Sequence, residues 1–217
     1  MRIRVWQLLL AGLFVATPSL ASYDSKPSLP TPSSTSGNAT DALPAEAQAA
    51  RQQALPYYKD AYDDVMKGSK ELAAGKDKSA KKRFDRARDH SREAAQLDST
   101  YYEAWNLVGF TSRKLGDYPG SFAAYQVALR LKPDFALARE YYGEGLLETG
   151  DFAGAMQQFE WLKKIGDQQQ LAELRKSIDK YRAAHPEVAA RADSSAQADS
   201  TAHAALPAPS DSTTAGK

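Results

Sequence analysis

The chain has 217 residues, with 28 Lys+Arg against 27 Asp+Glu, no Cys and three His. This near-balance of charge argues against a general nucleic-acid binder. The lack of Cys excludes disulfides, thiolate metal sites and Cys nucleophiles.

The first segment reads as an address. Arg2 and Arg4 precede an apolar run from Val5 to Ala16, broken only by Gln7 and Gly12, and Ser19 and Ala21 end it in a small-x-small pattern. This predicts a signal peptide over 1–21, cleaved after Ala21, and therefore an exported protein, periplasmic or secreted. The alternative is an N-terminal anchor that is retained. The run falls short of the ~20 residues of a comfortable membrane span, so no stable span is expected after cleavage. Removal of Arg2 and Arg4 leaves 26 basic against 27 acidic residues.

Residues 22–44 are dominated by Ser, Thr and Pro, with Tyr23, Leu29 and Leu43 as the large apolar residues. Such a segment buries too little surface to offset its ordering entropy and predicts a disordered linker. Asn38-Ala39-Thr40 matches a glycosylation sequon, which matters only in a eukaryotic secretory route. Residues 186–217, rich in Ala, Ser, Asp, Thr and Pro, predict a second disordered tail. The expected folded domain is 45–185, a common domain size.

Within it the 3–4 spacing of apolar residues predicts helices near 56–74, 77–97, 101–115, 119–131, 134–149, 152–165 and 167–184. Pro56 either starts the first helix or kinks a longer one running from Ala45. Asp117, Asp134, Asp151 and Asp167 are expected N-caps. Trp105, Phe84, Tyr125, Phe159 and Leu174 are expected in the core. No segment alternates with period two, so no sheet is expected.

A shift of 34 residues superimposes one part of the chain on another. Gly109 falls on Gly143, Gly116-Asp117-Tyr118 on Gly150-Asp151-Phe152, Ser121 on Ala155, Tyr125 on Phe159 and Ala128 on Leu162. A degenerate upstream copy keeps the spacing through Gly68, Gly75, Ala80, Phe84 and Ala87, but Ala87 to Trp105 is seven residues longer than Ala128 to Arg139. Seven residues are two helical turns, so the insertion keeps the apolar stripe of one long helix in phase.

Trp105, Val108-Gly109, Gly116-Asp117-Tyr118, Ser121, Tyr125, Ala128 and Pro133 together resemble the tetratricopeptide repeat. The resemblance implies an all-α, right-handed superhelical stack of antiparallel helix pairs. Its degenerate repeat would lie near 61–100, its matched repeats near 102–135 and 136–166, and its capping helix at 167–184. Gly109 and Gly143 are expected where the two helices of a pair approach closely.

The resemblance also implies a non-catalytic scaffold that binds a protein or peptide segment in a concave groove, without cofactor or metal. The exposed lining carried over is Glu103, Asn106, Phe110, Arg113 and Lys114 from one pair. The next pair contributes Leu137, Glu140, Glu144, Leu147 and Glu148. An alternative working surface is the basic run between 76 and 92, where Lys78, Lys82 and Arg86 form an i, i+4, i+8 stripe suited to an anionic envelope surface. Aromatics do not interleave on that face, which argues against nucleic acid. An enzyme ranks third. His90 has no nucleophile at a recognisable spacing, and Asp63-Asp64 and Glu140/Glu144 read as helix-surface charge.

Overall fold

The computed structural model describes residues 44–188, and the expected signal peptide, most of the linker and the residues from 189 onward lie outside them. The described residues are all-α: seven helices and no strand. They are α1 (Ala45–Ala73), α2 (Asp77–Leu97), α3 (Tyr102–Lys114), α4 (Tyr118–Leu131), α5 (Ala136–Glu148), α6 (Phe152–Ile165) and α7 (Gln168–Ala184). Helices α1/α2, α3/α4 and α5/α6 pack as consecutive pairs, α3 and α5 pack on the preceding pair, and α7 closes the stack against α5 and α6.

Helix α1 takes the longer of the two courses open to it. Pro56 lies inside it. Pro removes the N–H that would bond Gln52. Both residues are exposed, so the orphaned carbonyl faces water. The inward stripe Ala54, Tyr58, Ala61, Val65 and Gly68 holds the helix to its neighbours. The chain beyond 185 also differs from expectation. Residues 186–188 form a helical turn, and half-buried Val188 packs against the second core cluster.

The turns between helices follow the sequence. Gly116 and Gly150 have φ of 81° and 84°, a left-handed conformation at helix ends that favours Gly. Asp117, Asp151 and Asp167 accept hydrogen bonds from the backbone N–H groups of Gly120 (3.0 Å), Gly154 (2.8 Å) and Gln170 (3.0 Å). Asp134 does not cap α5. It pairs with Lys132 at 3.0 Å, and the N-cap position falls on Phe135.

The two repeat glycines are not used alike. A Cβ on Gly109 would lie 2.6 Å from the Tyr125 ring, so α3 meets α4 there as expected. A Cβ on Gly143 would meet Leu174 at 2.7 Å. Gly143 therefore admits the capping helix rather than its own pair partner, which corrects the expectation. Phe84, Tyr125, Phe159 and Leu174 are buried, whereas Trp105 is only half-buried at the core edge.

Candidate functional site: a sealed inner face and an open outer furrow

The predicted groove lining is mostly inside the protein. Asn106, Phe110 and Glu144 are fully buried, and Glu140, Arg113, Leu137 and Leu147 nearly so. Glu103, Lys114 and Glu148 remain half-buried. The expectation of an exposed polar groove therefore fails for the residues at its centre. The pattern is legible in one sequence, but the curvature of the stack is not. Here α3, α5 and α7 converge closely enough to enclose what they share.

What they enclose is an ion-pair ladder. Arg113 donates from Nη2 to Glu144 Oε2 at 2.9 Å and from Nη1 to Glu148 Oε1 at 2.8 Å. Ser177 on α7 donates to Glu144 Oε1 at 3.0 Å. Burial alone would disfavour charge on Arg113, but Glu144 and Glu148 push its pKa well above its ordinary value. Burial pushes the Glu140 carboxyl well above the usual carboxylate range, and the Glu144 carboxylate adds to this. Neither oxygen of Glu140, nor the amide of Asn106, makes a hydrogen bond to another protein atom among the described residues. The bonds among Arg113, Glu144, Glu148 and Ser177 tie α3, α5 and α7 together and engage the Arg113 guanidinium inside the protein.

The cationic stripe is paired only in part: Arg86 is bonded to Asp64, and Lys78 and Lys82 are exposed. Asp64, also expected at the surface, is buried between α1 and α2. It receives Arg83 Nη1 and Arg86 Nη2, each at 2.9 Å. Burial opposes its charge, yet the two guanidiniums hold its pKa below the ordinary carboxylate value. Lys81 and Arg88 pair with Asp85 at 2.9 and 3.5 Å. Only part of the 78–92 run therefore faces outward unpaired, and the continuous stripe is broken at Arg86.

An open concavity lies on the other side of the stack. A furrow of about 300 Å³ runs between α2 and α4 with α3 as its floor. Its α2 wall is Arg92, Ala95 and Gln96; its floor is Trp105 and Val108; its α4 wall is Gly120, Ala123, Ala124 and Val127. The Trp105 indole is fixed by donation to the Ser99 carbonyl at 3.0 Å. The wall on α2 stands on that helix's last two turns. Helix α2 has 21 residues and α4 has 14, a difference of the same seven residues that break the repeat spacing.

At the equivalent positions between α4 and α6 the protein carries larger side chains that contact one another. At a shift of 34, Trp105 becomes Arg139, Val108 becomes Tyr142, Ala124 becomes Gln158 and Val127 becomes Trp161. The Arg139 guanidinium lies 4.3 Å from the Trp161 ring centroid and donates to Gln158 Oε1 at 3.0 Å and to the Pro133 carbonyl at 2.9 Å. Tyr142 packs on Phe122 at 5.2 Å between centroids. Small side chains thus stand in the first furrow where large ones close the second. Trp105 and Val108 enter the sequence reading only as repeat signature and core, although two signals mark the furrow: the seven-residue insertion and the small-for-large contrast between repeats.

Among the described residues, no helix is long and apolar enough to cross a membrane, and no cluster of three or more His, Asp or Glu could hold a metal ion. No protein-family model matches the chain, and no curated protein matches it. Among solved structures, the crystal structure of MamA is similar over 57% of this chain and 88% of that one, at 15% identity and a TM-score of 0.36. At that level of likeness, any functional reading rests on this chain's own geometry.

Proposed function

We propose that this protein is a non-catalytic interaction module that holds a segment of a partner protein in the furrow between α2 and α4. The observation that supports it is the open, largely apolar furrow itself. It is walled by two helical turns that the other repeat lacks, and it is lined by small residues where the other repeat has Gln158 and Trp161. A concavity with apolar walls and a few polar groups at its rim is a characteristic docking site. Helical repeat stacks offer extended surfaces for such contacts. The docking surface in this reading is the outer face, because the inner face is occupied by its own ion pairs. The N-terminal 21 residues carry the further reading that the module works outside the cytoplasm, in the envelope or secreted space; mass analysis of the purified chain should give a mature form starting at Ser22.

The docking reading is tested by placing a photo-crosslinking amino acid at Ala123 or at Gln157, its repeat equivalent, in the full chain in its native cells. A discrete crosslinked product is expected at Ala123 and not at Gln157. Equal products at both positions, or none at Ala123, would reject it.

A further inference from the structure

From the furrow's chemistry we infer what kind of segment it takes: one that seats an aromatic side chain against Trp105 and places a carboxylate on Arg92. This rests on the docking reading above and adds the partner's chemistry. Three observations carry it. First, at a shift of 34 the small Ala124 and half-buried Val127 of the furrow stand where the second repeat carries Gln158 and Trp161. A flat, large side chain is therefore the shape that completes it. Second, Trp105 forms the floor, held by its bond to Ser99 and only half-buried. A ring laid against it in offset or edge contact gains more than area burial alone. Third, the charged residue in the lining is Arg92, exposed and without an ion pair among the described residues, and no carboxylate lines the furrow. A guanidinium at the rim of an apolar site selects a carboxylate, which it binds in a two-pronged geometry. Gln96, one turn along, offers a donor and an acceptor to the segment's main chain.

The second repeat shows the same types of group joined within one molecule: an arginine, an indole and an amide, in Arg139, Trp161 and Gln158. Around the furrow the protein supplies Arg92 and Gln96 from α2 and Trp105 from α3, but nothing bulky bridges it. The partner supplies that bulk and the countercharge.

The test uses the ¹⁵N-labelled full chain. The probes are alanine-based heptapeptides with both termini blocked, carrying one Trp and one Glu one to four residues apart. Amide shifts at Ala95, Ala123 and Val127 are followed in titrations. One spacing should bind best, and at that spacing replacing the peptide's Trp by Ala or its Glu by Gln should each weaken binding by about 10-fold. Arg92→Gln should erase the difference between the Glu and Gln peptides. Val127→Trp, which copies the second repeat, should remove the furrow shifts while leaving the helical spectrum unchanged. A peptide with a free C-terminus in place of Glu distinguishes a terminal carboxylate from a side-chain one. If the Ala123 crosslink persists while Glu and Gln peptides bind equally, the aromatic-and-acid partner is rejected and the docking site stands. If crosslink and titration both fail, the docking reading falls with it.

Discussion

The two matched repeats share a backbone plan and divide its uses. In α3/α4 the outer furrow is open: Trp105 lies at the floor, and Ala124 and Val127 stand back from it. In α5/α6 the same positions hold Arg139, Gln158 and Trp161, which close on one another. The inner face divides differently. Helix α3 contributes the cation, Arg113, and α5 contributes the acids, Glu140, Glu144 and Glu148. Neither repeat satisfies its inner side chains alone. The comparison teaches that a degenerate repeat can keep its punctuation, the Gly-Asp turns and the aromatic of the second helix, while its variable positions specialise. One copy becomes the lock of the stack and the other carries an open surface.

That division can be broken at its strongest point. Arg113→Met removes the shared cation and leaves Glu144 buried without it. Loss of one partner of a buried pair costs about 3–5 kcal/mol, so denaturant unfolding should show a loss of this size. Lys114→Met, on the half-buried neighbour, should show far less. A small effect at Arg113 would mean that the repeats are not locked through the ladder.

The furrow contrast predicts a smaller difference. Trp105→Ala removes a half-buried ring, so its cost should fall below the ~3–5 kcal/mol of a fully enclosed one, at about 2 kcal/mol. Arg139→Ala strips the filler from the second furrow and should cost about 1–3 kcal/mol by leaving the Gln158 amide and the Pro133 carbonyl without their donor. It should also make the Trp161 fluorescence more accessible to quenchers.

Glu140 sharpens the comparison through pH. Its folded-state pKa is raised by burial, with Glu144 adding to it. Below the ordinary carboxylate pKa of about 4.3 both folded and unfolded states are protonated, and the group is neutral to stability. Above that value the unfolded carboxyl ionises first, so stability falls with rising pH. The slope approaches about 1.4 kcal/mol per unit until the folded-state value is reached. Glu140→Gln should remove this fall, raising Tm at pH 7–8 and changing it little near pH 4.5. An equal shift at both pH values would place the Glu140 carboxylate in the charged state. The smallest effect expected is that of Val127→Trp on stability, within about 0.5 kcal/mol because the side chain enters open space.

Much of the fold was legible in the residues. The 3–4 spacing gave seven helices, and three of the four Asp caps were placed by their position before helix starts. Asp134 failed because Lys132, two residues away, offered its carboxylate a competing partner. Pro56 left two courses open, since a proline in an exposed helical turn loses a single hydrogen bond that water replaces. The candidate site was legible only in part. Asn106, Phe110, Arg113, Glu140 and Glu144 lie inside the stack and not on the exposed groove that the repeat resemblance implies.

The helices and their punctuation follow from local sequence, because caps, turn glycines and apolar periodicity act over a few residues. The sequence also marked the seven-residue break in the repeat. The tertiary structure alone decided whether each face is open or closed. Burial of Arg113 depends on how closely α3, α5 and α7 converge, and Gly143 meets Leu174 rather than its pair partner because α7 docks there. The furrow exists because two extra turns of α2 rise beside an α4 that ends at Leu131. These are distances between segments far apart in the chain. They are set by the summed packing of all seven helices, and no local pattern encodes them.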